Sequence, residues 1–189
     1  PLLSLARIEQ PTRWMYRAVL LTGFVNTLVT LQWMRLGDVT MYPAWIALSF
    51  YMALYFPVFL GVTRVAVLRM NIPLAFAAPV IWVGLEYLRA HLMTGFSWYY
   101  LGHTQYQWLE IIQISDLVGA YGVSFLLAMS SAVIASLLPL SWFAKFKLVL
   151  QTRLEQGSVV ETKRPVVAIG AMTVLLLAAL TYGFVRRGQ

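Results

Sequence analysis

Five stretches of about 20 mostly apolar residues, each bounded by charge, Pro or Gly, divide the chain, and that is the length a helix needs to cross the hydrocarbon core of a bilayer. They fall at about residues 18–34, 42–62, 72–93, 114–138 and 166–185. Only 11% of the 189 residues are charged, where a soluble domain carries about a quarter, so a water-facing surface cannot be built. Period-2 alternation with regular turn signals is missing, which argues against a membrane barrel. The expected fold is therefore an all-α polytopic membrane protein. Within the second run, YPAWIALSFYMALYFPVFLGV, Pro57 predicts a kink.

Cytoplasmic loops of membrane proteins collect Lys and Arg, so the basic residues set an expected orientation. Ten of the 14 fall on one side of the five runs: Arg7, Arg13, Arg17, Arg64, Arg69, Lys145, Lys147, Arg153, Lys163 and Arg164. Arg35, Arg186 and Arg187 fall on the other, and Arg89 lies inside a run. This places the amino end and the polar 139–164 loop in the cytoplasm and, after five crossings, the carboxyl end outside. The Arg186 and Arg187 pair runs against the assignment. The formal net charge of +7 is spread over juxtamembrane loops and forms no interleaved patch, so nucleic acid is an unsuitable partner and anionic lipid headgroups a natural one. The 145–164 stretch is long and polar enough for a mobile loop or an interfacial helix. No internal repeat is apparent. The chain starts with Pro, and no charged-then-apolar leader precedes the first run, so it reads as a piece of a longer polypeptide.

There is no Cys, which removes disulfides, thiolate ligands and a thiol nucleophile from these residues. His91 and His103 are the only two His, and seven scattered acids scarcely complete a metal site, so neither metal nor cofactor is expected. What stands out is Glu86 and Arg89 in the third run. Three apart, they share a helix face and can pair. Counting about 1.5 Å per residue inward from Met93 puts them roughly 10 Å and 6 Å below the outer boundary. Ionisable groups there are costly unless they pair or face a wet cavity; a structural ion pair with Arg89 snorkelling outward is the plainer account.

The next segment, TGFSWYYLGHTQYQW (94–108), has no Lys or Arg and six aromatics: Phe96, Trp98, Tyr99, Tyr100, Tyr106 and Trp108. Interfacial anchoring explains aromatics alone. Gly95 and Gly102 bracket them, however, and His103, Thr104, Gln105 and Gln107 add hydrogen-bonding groups beside the rings. The combination suits a cleft open to the outer leaflet, apolar enough for acyl chains and polar enough for a headgroup. Ser97 with His91 or His103 lacks the acid partner and glycine pattern of a hydrolase site. Ala128, Ala132 and Ser136 form a small-residue packing stripe. Asp116, at the outer start of the fourth run, suits a cap or a first-turn charge.

Residues 78–129 resemble the membrane-domain signature of apolipoprotein N-acyltransferases: Glu, two residues, Arg, then TGF-W, LG, Q and a G-YG-SF run. The matching positions are Glu86, Arg89, Thr94, Gly95, Phe96, Trp98, Leu101, Gly102, Gln105, Gly119, Tyr121, Gly122, Ser124 and Phe125. QWMR near residue 32 and PAWIALSFYMALY resemble the preceding family helices. The resemblance implies a bacterial inner-membrane enzyme that moves an acyl chain from a phospholipid to the N-terminal Cys amino group of a diacylated lipoprotein. It implies a thioester intermediate on a Cys of a periplasmic nitrilase-like domain, assisted by a Glu and a Lys. That domain is expected after residue 189, and the five runs would be the third to seventh of eight helices. On this reading these residues hold lipid, carry no catalytic residue and are inactive alone, and Glu86, Arg89, Phe96, Trp98 and Gln105 shape the lipid entrance. The alternatives are a small lipid or solute transporter or channel lined by Glu86 and Arg89, and a non-enzymatic membrane scaffold.

Overall fold

Helix follows helix along the chain, and the described residues contain no strand. The computed structural model describes residues 2–8, 11–92, 95–138 and 165–188. Its helices are α1 (Leu2–Leu5), α2 (Arg13–Thr30), α3 (Met41–Ala53), α4 (Tyr55–Leu68), α5 (Leu74–His91), α6 (Leu109–Ile112), α7 (Ser115–Leu137) and α8 (Pro165–Arg187). Two 3₁₀ turns, Gln32–Leu36 and Leu101–Gln105, link them. The 139–164 loop, together with Met93 and Thr94, lies outside the described residues.

Local chemistry explains where the helices depart from the apolar runs. The Thr12 side chain accepts a hydrogen bond from the Met15 amide at 3.1 Å, an N-cap that starts α2 at Arg13, ahead of the apolar run. At the other end α2 stops at Thr30, and Gln32–Leu36 tightens into a 3₁₀ turn and does not extend the span. The second run is helical but interrupted at Leu54. Pro57 has no N–H to give the Ala53 carbonyl, which places the break one turn upstream of the proline. Beyond it α4 continues to Leu68, past the expected end at residue 62. Arg64 is thus a helical residue, 6% exposed, whose Nη1 donates to the Leu5 carbonyl at 3.2 Å; it is not a solvated loop charge. Inside α7, Gly119 has φ 64° and ψ −173°, a conformation open essentially to glycine alone, and divides a first turn from the long helix.

Antiparallel α5 and α7 form the central pair. Ala77, Ala78, Ala132 and Ala135 are all buried where the helices meet, small side chains that allow close approach, and Leu60, Leu74 and Phe59 fill the space beside them. The small-residue stripe expected on α7 does this work: Ala128 and Ala132 are buried, and Ser136 satisfies its hydroxyl on the Ala132 carbonyl at 2.8 Å. Edge helix α8 touches α5 and α7 through Ala168.

Among the described residues, three helices are long and apolar enough to cross a membrane: Met41–Leu68, counted through the kink, Ser115–Leu137 and Val166–Arg187. Most of their residues face outward, and exposed side chains such as Val58, Val62, Ile134, Val174 and Leu177 are what a lipid-facing surface requires. The other two apolar runs form helices of 18 residues, one with Arg13 and Arg17, the other with Glu86 and Arg89. The molecule is an all-α membrane protein.

Candidate functional site

At the end of the bundle where α2 and α5 finish and α7 begins, a cavity of about 910 Å³ opens between α2, the α3–α4 kink, α5 and the 98–104 loop. That lies within the roughly 300–1,000 Å³ typical of small-molecule sites. Its apolar walls come from Leu31, Met52, Phe56, Trp82 and Leu85, with Trp33, Trp98 and Tyr99 at the rim. Its polar groups are few: Asn26, Thr27 and Thr30 on α2, Tyr55 at the kink, Glu86 and Arg89 on α5, and His103 and Thr104 on the loop.

Glu86 and Arg89 share the face expected of them, 2% and 8% exposed, yet they do not pair directly: no ion-pair contact within 4.0 Å joins them. Each holds the loop instead. Glu86 Oε1 accepts from the Leu101 amide at 2.7 Å and from Trp82 Nε1 at 2.9 Å. Arg89 Nη2 donates to the Trp98 and Tyr99 carbonyls at 3.2 and 3.3 Å, and its guanidinium lies 5.3 Å from the centre of the Tyr100 ring. The reason is reach. The loop doubles back over the end of α5, where the Phe96 amide bonds the Arg89 carbonyl at 2.9 Å, and its backbone groups stand nearer to each side chain than the other charge does. Glu86 Oε2 and Arg89 Nε are buried with no hydrogen-bond partner. Unpaired polar atoms of this kind are costly in a packed core and concentrate at sites that await a ligand or water.

The loop is anchored on all sides. Gly102 donates to Ser124 Oγ at 2.8 Å and lies so near α7 that a Cβ there would sit 2.7 Å from the Ala120 carbonyl. Tyr99 has φ 58°, a left-handed conformation costing a non-glycine residue roughly 1–2 kcal/mol. It compensates with its hydroxyl, which donates to the Thr30 carbonyl at 3.1 Å and accepts from Trp33 Nε1 at 2.8 Å. Trp33 in turn stacks on Trp98 at 5.6 Å. The loop thereby bridges α5 to the end of α2 and roofs the cavity. An amphiphile with an anionic head and an apolar body fits such a space: the guanidinium still has donors to offer, and the remaining walls are hydrocarbon and aromatic.

Of the expected site residues, Glu86, Arg89 and Trp98 line this cavity. Phe96 is one layer back, its ring 6.1 Å from Trp98, and Gln105 donates at 2.9 Å to the hydroxyl of Thr104, which does line it. His91 bonds to the Tyr87 carbonyl and His103 stacks on Tyr100; neither is hydrogen-bonded to Ser97. Asp116 caps nothing with its side chain, because Ile114 holds the N-cap position; it lies in the first turn of α7 and pairs with Arg186 at 3.1 Å. Sequence reasoning missed Tyr55, Trp82 and the α2 wall. Asn26, Thr27 and Thr30 share one helical face inside an apolar run, and that polar stripe was the available signal.

Residues 1–133 match the family described as apolipoprotein N-acyltransferase N-terminal domain. The apolipoprotein N-acyltransferase of Geobacter metallireducens is 38% identical over 136 residues, 72% of this chain and 23% of that protein. The enzyme of the same name from Rhodopirellula baltica is 36% identical over 137 residues, 67% of this chain and 24% of its own. The chain thus spans about a quarter of the length of these curated relatives. No solved structure matches. With the matched residues containing both sides of the cavity and its loop, the chain belongs to the apolipoprotein N-acyltransferase N-terminal domain family.

Proposed function

We propose that this chain is the lipid-holding membrane domain of an apolipoprotein N-acyltransferase. The parent enzyme takes an acyl chain from a phospholipid and transfers it to the N-terminal Cys amino group of a diacylated lipoprotein. It works in a bacterial inner membrane, with residue 189 on the periplasmic side. Arg89 carries this reading: a buried guanidinium with an unpartnered Nε at the wall of a large, mostly apolar cavity. In hydrocarbon surroundings it is suited to a lipid phosphate, which accepts charge-assisted hydrogen bonds. Glu86 and Trp82 fix the α5 face and the loop, Trp98 with Phe96 behind it lines the acyl path, and Gln105 supports Thr104 at the rim. The nucleophile belongs elsewhere in the parent, because these 189 residues contain no Cys; the purified 189-residue chain should not acylate a lipoprotein peptide.

The test uses the purified full-length parent in bilayers with a phospholipid labelled in its acyl chain and a diacylated lipoprotein peptide. Label is expected on the peptide's terminal amine. Its absence, combined with flux of lipid or solute across the bilayer, would replace this reading with a transporter.

A further inference from the structure

Arg186 and Arg187, the pair that runs against the charge rule, end α8 beside the cleft loop. Arg186 Nε is 3.1 Å from Asp116 on α7, and Arg187 pairs with Glu110 on α6. Consecutive residues project about 100° apart around a helix, so the two arginines reach different helices like two stays. Between them and the bundle, Gly183 lies flat against α6, where a Cβ would overlap the Glu110 carbonyl. Glu110 is thus held through its backbone and its side chain together. It lies five residues beyond the end of the 3₁₀ turn whose Leu101, His103 and Thr104 line the cavity, and the Trp108 amide, between the two, bonds the Gln105 carbonyl at 2.9 Å. Elsewhere α8 meets the bundle through apolar side chains such as Ala168, Ile169, Met172 and Ala179, while Val174, Leu177 and Phe184 face outward.

We propose that the Glu110–Arg187 and Asp116–Arg186 contacts, closed around Gly183, are a latch that fixes the rotation and height of the end of α8 relative to the cleft. The four charged side chains are positioning residues for the acyl transfer: they set where the remainder of the full-length enzyme stands over the lipid held at Arg89. This rests on the proposed lipid-holding role. The pairs are 26–52% exposed, so individually they add little to stability, and their effect is on geometry.

The experiment is a charge swap in the full-length parent, assayed for acyl transfer in bilayers. Glu110→Lys is expected to slow transfer about tenfold at unchanged abundance and unchanged KM for phospholipid, and the double variant Glu110→Lys with Arg187→Glu to recover to within about twofold of the parent. Should Glu110→Lys fail to accumulate, Glu110→Gln with Asp116→Asn is expected to lose about threefold, and raising the ionic strength should slow the parent in the same direction. Parental rates in the single or neutralised variants, or no recovery in the swap, overturn the latch. Arg89→Leu in the same assay separates the two readings: if it alone is impaired the lipid site stands without the latch, and if it transfers at the parental rate the lipid site itself fails.

Discussion

The two ends of the bundle each bury arginine, and they use it differently. At the end where α4 and α7 finish, Arg7 and Arg64 are both 6% exposed and spend their donors on backbone: Arg7 on the Ala135 and Leu138 carbonyls, Arg64 on that of Leu5. The last carbonyls of a helix have no partner within it, and a cation beside them also meets the negative end of the helix dipole. Those arginines staple α1, α4 and α7 together. At the other end Arg89 is as buried, at 8%, and likewise holds carbonyls, but its side chain also lines a cavity of about 910 Å³, which neither Arg7 nor Arg64 does. Burial of a charge therefore does not mark function by itself. What sets Arg89 apart is the open space beside it, and the proposed lipid-holding role rests on that.

Removing each arginine should separate the two roles. Arg89→Leu in the full-length parent is expected to reduce acyl transfer about 100-fold, equivalent to about 3 kcal/mol of charge-assisted hydrogen bonding, with abundance changed far less. Steady-state rates normalised to protein amount measure this. Arg7→Leu and Arg64→Leu should give the reverse: abundance and detergent melting temperature fall as buried carbonyls lose partners at about 1–3 kcal/mol each, while molecules that fold transfer normally. If all three variants lose stability and activity in proportion, the ends do not differ and Arg89 is another staple.

The same contrast explains what was readable from sequence. Run length and scarcity of charge dictate helices, and Pro57 placed a break that appears at Leu54, because both act through local rules. The arginines could be counted but not sorted: Arg7 and Arg64 read as juxtamembrane loop charges, since nothing in the sequence says that α1 folds beneath α4 and α7. Glu86 and Arg89 were found by their depth, and Trp98 by its company of aromatics. Their direct pairing was not borne out, because spacing along one helix says nothing of a loop that returns to compete for both side chains. Arg186 and Arg187 looked like a violation of charge asymmetry until Asp116 and Glu110 came beside them. By sequence, Arg35, Arg89, Arg186 and Arg187 on that side are matched by Asp38, Glu86, Glu110 and Asp116, leaving the formal +7 with the segments joined to the opposite end.

That asymmetry gives a topology test. A reporter fused after residue 189 should be active outside the cytoplasm and one placed within residues 150–158 inside it. The opposite pattern would turn the cleft toward the cytoplasm and remove the orientation on which the proposed role depends. Within the cleft, Trp98→Ala should slow transfer about tenfold, less than Arg89→Leu, because it removes apolar contact and the stack on Trp33 but no charge.

The smallest expected effect isolates the roof. Tyr99 is held in a left-handed conformation, and its hydroxyl ties that strained residue to the Thr30 carbonyl and to Trp33. Tyr99→Phe keeps the ring and the backbone strain but removes both hydrogen bonds, a loss of about 0.5–1.5 kcal/mol apiece at a partly exposed site. The overall fold should be insensitive, since the α5–α7 pairing does not pass through this residue, whereas the loop should detach more readily from the end of α2. Transfer is then expected to fall no more than about threefold, with hydrogen exchange accelerating at the amides of residues 98–101 and unchanged in α5 and α7. Unaltered exchange in the loop would mean that Arg89 and Glu86 hold the roof without help from α2, and the α2 wall would then be a boundary of the cavity and not part of its closure.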